Sequence, residues 1–77
     1  MDTNSASAVR IKAIAANLAA LHSLLTEAAK RSREGHEIIQ RGECNGAIGV
    51  VLGLDALLDD AKALYVAAVA LHRLRTA

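Results

Sequence analysis

The chain has 77 residues, with nine Lys or Arg against eight Asp or Glu, so one domain is the limit and a formal charge of +1 gives no global pull toward nucleic acid or membrane. Apolar residues make up 53%, with one aromatic, Tyr65, and no proline, which excludes disorder and favours helix throughout. A single cysteine, Cys44, rules out an internal disulfide, and no His and Cys cluster has metal-ligand spacing. With neither staple and no cofactor motif, so small a core calls for oligomerisation.

The opening "MDTNSASAVR" is acidic and polar, unlike a signal peptide, and residues 1–5 are expected to fray. "DTNS" supplies several residues able to cap a helix. A first helix over about 6–41 follows from Ile11, Ile14, Leu18, Leu21, Leu25, Ala28, Ser32, Gly35 and Ile39, which alternate spacings of three and four. That is a heptad seam. The other side carries Lys12, Glu27, Lys30, Arg31, Arg33, Glu34, Glu37 and Arg41, with Glu27–Arg31 and Glu37–Arg41 four apart and able to pair. The longest run free of Lys, Arg, Asp and Glu, Ala13–Thr26, falls short of the roughly 20 residues that span a bilayer. A soluble, cytoplasmic chain without a membrane partner is the expectation.

Gly42 predicts the end of that helix and Asn45 the cap of the next. The second helix is expected over about 46–75, unbroken, with His72, Arg73 and Arg75 complementing the dipole at its end. Two long helices joined by a short turn make an antiparallel hairpin. The second helix is apolar nearly all round, so the expected fold is an all-α hairpin assembling into a four-helix bundle or a higher oligomer. Leu54, Leu57, Leu64, Ala67 and Leu71 are the expected oligomer interface.

Four of the five glycines, Gly42, Gly46, Gly49 and Gly53, fall within Arg41–Gly53. Glycine inside a helix costs roughly 1 kcal/mol relative to alanine, so their positions imply a use for the space. Gly46, Gly49 and Gly53 share a side with Ala56, Ala63, Ala67 and Ala70, opposite Gly35 and Ser32 across the turn. They serve either close packing or a cleft. In the cleft reading, the free amides at the start of the second helix, with Arg41, Asn45, Gly46, Gly49, Gly53, His36 and Asp60, bind an anionic small molecule such as a nucleotide signal. Neither a phosphate-binding loop nor a dinucleotide fingerprint is present.

His22 is expected to meet Tyr65 in a structural hydrogen bond. Asp60 reads as an exposed or paired carboxylate at a chain boundary, Cys44 as an incidental thiol, and Asp55 with Asp59 as a solvated face. No nucleophile, base or carboxylate pair completes a catalytic set. The sequence therefore points to a non-catalytic oligomer that binds another protein as adaptor, inhibitor or regulator. Sequestration of an anionic small molecule is the alternative, and the weak basic excess and single aromatic argue against nucleic acid.

Overall fold

The computed structural model describes residues 2–74 and is all-α, with α1 over Asp2–Gln40, α2 over Cys44–Val51 and α3 over Leu54–Arg73. No strand occurs among the described residues. Met1 and Arg75 lie outside them. α1 begins at Asp2, so residues 2–5, expected to fray, are helical. Its 39 residues set the length of the molecule, whose extents are 62 × 15 × 12 Å.

Gly42 ends α1 as its position predicts. Its φ of 83° lies in the left-handed region that glycine enters without a steric cost. The Gly42 amide donates to the Ile39 carbonyl at 2.9 Å and the Glu43 amide to that of Ile38 at 3.3 Å. This pair of bonds is the Schellman closure of a helix C-terminus. α2 starts two residues earlier than expected, at Cys44. Glu43 occupies the cap position without a side-chain bond, and Asn45 lies inside the first turn.

The second helix is divided rather than continuous. The break falls at Leu52 and Gly53, and Gly53 adopts φ −87°, ψ 2°, outside the helical well. Arg31 lies against this position. A Cβ built on Gly53 would meet Nη1 of Arg31 at 2.7 Å, so the guanidinium occupies the space that a side chain would need. Beyond the kink, Asp55 in the first turn of α3 and His72 with Arg73 in its last complement the helix dipole.

α2 and α3 both pack along α1. Ser5, Ala6, Val9 and Ala13 share a cleft with Leu71 and Leu74, so the end of α3 lies beside the start of α1 and the two run in opposite directions. A seam of shielded positions runs along α1 through Ser7, Arg10, Ile14, Asn17, Leu21, Leu24, Ala28, Arg31, Gly35 and Ile38, and along α3 through Leu54, Leu57, Ala61, Leu64, Ala68 and Leu71, with Ala13, Glu27, Glu34, Ala67 and Val69 half-buried beside them. Both sets keep the three–four alternation of a packed seam.

This seam corrects half of the expected one. Ile14, Leu21, Ala28 and Gly35 face the neighbouring helices, whereas Ile11, Leu18, Leu25, Ser32 and Ile39 are exposed. Asn17, Leu24, Arg31 and Ile38 take the other column. The core that results is small: Ala28, Ala47, Ala61 and Ala68 are the buried apolar residues, and no large side chain is fully buried among the described residues.

Candidate interaction surface

The glycine-rich turn is a packing device at two points and open at another. A Cβ on Gly35 would stand 2.8 Å from Val51 Cγ1 and 3.4 Å from the Ala47 carbonyl oxygen, and one on Gly46 would stand 3.2 Å from Ile38 Cγ2. Around Gly49 there is nothing within 4 Å. Ala47 is buried toward α1, and Gly49, two residues on, projects to the far side of α2.

The residues expected to hold an anion do not converge. Arg41 is exposed and its Nε lies 3.8 Å from Glu43 Oε2, so its partner is Glu43 rather than Glu37. Asn45, Gly46 and Asp60 are exposed, and Gly53 is half-buried with the Arg31 guanidinium beside it. His36 lies elsewhere, in an open cleft of about 320 Å³ with Ser32, Ile39, Ile48 and Val51. That cleft is almost wholly apolar in its lining, which suits a hydrophobic side chain better than an anion. No group of three or more metal-binding side chains occurs among the described residues.

The remaining expectations sort in the same way. Arg31 Nε donates to Glu27 Oε2 at 3.0 Å, the pair that the four-residue spacing predicts. His22 and Tyr65 are both exposed and make no hydrogen bond to each other; the His22 carbonyl accepts instead from Thr26 Oγ1 at 2.8 Å. Cys44 is an exposed free thiol. Leu54, Leu57, Leu64 and Leu71, expected at an oligomer interface, are half-buried on the face of α3 that meets α1, and Ala67 flanks them.

What the chain leaves uncovered is a second seam. Ala8, Ile11, Ala15, Leu18, His22, Leu25, Ala29, Ser32, His36 and Ile39 again alternate three and four, and all ten are exposed. Each follows directly after a position of the first seam, so this stripe is rotated about 100° around α1. It contains no Lys, Arg, Asp or Glu. On α3, Leu58, Tyr65 and His72 each follow a seam residue by four, a rotation of roughly 40° past a full turn. Because the helices run oppositely with their seams facing, a forward rotation on either turns toward the same broad side of the pair. Ile48 joins that side through the cleft it shares with His36 and Ile39. Ile11, Leu18, Leu25, Ile39, Ile48, Leu58 and Tyr65, each between 44% and 64% exposed, thus form one apolar face that also carries all three histidines.

α1 has a further property. Within Ser5–Gln40 it includes an 18-residue window of mean hydropathy 1.3 with no more than two Lys, Arg, Asp or Glu, and by length and composition it could cross a bilayer. The expectation from Ala13–Thr26 counted only the charge-free run and so passed over this wider window.

Comparisons with protein-family models, with curated proteins and with solved structures find no match.

Proposed function

We propose that this chain is a small non-catalytic protein that works as an oligomer, by binding, as an adaptor, inhibitor or regulator of another protein. In this reading the chain is a helical hairpin, and hairpins assemble into a four-helix bundle or a larger helical oligomer in the cytoplasm. The observation that carries it is the mismatch between core and surface. Among the described residues, four alanines are buried while eleven large apolar residues are exposed, from Ile39 at 44% to Leu52 at 70%. A monomer with that distribution keeps in water the side chains whose burial contributes about 1.5–3 kcal/mol each.

Area supports the same reading. The accessible surface is 5666 Å² for an 8.0 kDa chain, against about 4,450 Å² expected for a compact monomer of that mass. The excess exceeds the roughly 800 Å² that each partner contributes to a standard interface. Binding of an anion at the turn has less support, since Arg41 is paired with Glu43 and the cleft near the turn has an apolar lining.

Native mass spectrometry of the full chain purified from cells tests the proposal. An oligomer, alone or carrying a second protein, is expected. A monomer that keeps full helical content at low micromolar concentration would overturn it.

A further inference from the structure

The exposed seam of α1 has a built-in pattern. One column is Ile11, Leu18, Leu25, Ser32 and Ile39, and the other is Ala8, Ala15, His22, Ala29 and His36. In parallel pairing, each residue would face its own copy, so that Leu18 meets Leu18 and Leu25 meets Leu25. Run antiparallel, the columns exchange, and one register centred between Ser23 and Leu24 matches all ten positions. Leu18 then lies opposite Ala29, Ile39 opposite Ala8, and Leu25 opposite His22.

Resting on the oligomeric reading above, we infer that this seam pairs antiparallel with the same seam of a second copy, burying Leu18 and Leu25 at the centre of a two-fold interface. Three observations select a second copy as the occupant. The seam stands about 100° from the one used inside the chain, close to the right angle between the two neighbours of a helix in a four-helix bundle. Ten consecutive seam positions carry no Lys, Arg, Asp or Glu, so nothing repels an identical surface. The surplus of accessible surface, about 1,200 Å² per chain, meets what a stable dimer needs.

Sedimentation equilibrium of the full chain at about 10 µM tests the assignment, with wild type beside Leu18→Glu/Leu25→Glu and the control Val66→Glu on the far side of α3. The wild type is expected to be a dimer or an even-numbered oligomer. The double variant should raise the dissociation constant more than 100-fold, and the control should change it less than threefold. A second measurement avoids dependence on the folding of the charged variant. In a Cys44→Ser background, Leu18→Cys/Ala29→Cys should oxidise to a covalent dimer, while Thr26→Cys, on the outer side of α1, should not. An oligomeric wild type that is unmoved by Leu18→Glu/Leu25→Glu, or fails to cross-link through residues 18 and 29, overturns this interface and leaves the oligomeric reading standing. A folded monomeric wild type overturns both. Flotation with phosphatidylcholine vesicles, lost in the double variant and unaccompanied by self-association, would assign the face to lipid and overturn the inference.

Discussion

Gly35 of α1 packs against Val51 of α2: a methyl group on Gly35 would stand 2.8 Å from Cγ1 of the valine. Valine is branched at Cβ and stiff at χ1, and the Ala47 carbonyl oxygen stands behind the same space at 3.4 Å. Gly35→Ala should therefore push the helices apart. Overpacking costs about 1–3 kcal/mol, and alanine's better helix propensity returns at most about 1. A net loss is expected in urea unfolding at fixed chain concentration. A midpoint at or above that of the wild type would show that the contact relaxes freely.

Gly49 gives the opposite sign. It is helical and exposed with nothing within 4 Å, so Gly49→Ala should stabilise by up to about 1 kcal/mol. A loss at this position instead would mean that another molecule packs against the outer side of α2. Gly53→Ala falls between the two, because the atom it displaces is the flexible end of Arg31. Its expected effect is under about 1 kcal/mol in either direction.

Leu57 and Leu64 are half-buried where α3 meets α1, and Lys62 between them is exposed. Full burial makes Leu→Ala cost about 2–5 kcal/mol, and half-burial scales this to roughly 1–2.5. Leu57→Ala and Leu64→Ala should each exceed Lys62→Ala, which should lie within about 0.5 kcal/mol of wild type. Equal small effects at Leu64 and Lys62 would place the packed face of α3 elsewhere.

The Glu27–Arg31 pair spans 3.0 Å with both side chains more than a third exposed, at 42% and 37%. Solvent screening limits such a pair to under about 1 kcal/mol. Glu27→Gln should cost no more than that, and the difference should shrink in 1 M salt. A larger, salt-independent loss would show that Glu27 holds the Arg31 guanidinium over the Gly53 kink as a structural contact.

These residues also show how far the fold was legible. The helical class, the turn at Gly42 and one column of the seam, Ile14, Leu21, Ala28 and Gly35, follow from composition and spacing. The second column does not. Ile11, Leu18 and Leu25 look like its natural members, but the chain itself uses Asn17, Leu24 and Arg31, two of them polar. Heptad spacing finds apolar stripes and cannot say which of two adjacent stripes faces the same chain. The neighbour of Gly53 was hidden for a related reason, since the guanidinium beside it comes from α1, 22 residues earlier in the sequence. The pairing of Arg41 was not legible either, since Glu43 reaches it across the turn in place of Glu37.

The alanine core leads to a last expectation. If most large apolar side chains become buried only on assembly, folding and association form one equilibrium, and mass action ties stability to chain concentration. The thermal midpoint followed by helical circular dichroism should then rise as the chain is concentrated from about 1 to 100 µM. For a dimer that unfolds as it dissociates, a hundredfold concentration is worth RT ln 100, about 2.7 kcal/mol, comparable to the linkage for a ligand at a hundred times its dissociation constant. In a domain of this size, each kcal/mol moves the midpoint by about 4–8 °C. A shift above about 10 °C is therefore expected. A midpoint independent of concentration, with a single sharp transition, would mean that the four alanines and the half-buried leucines suffice to hold the chain folded alone.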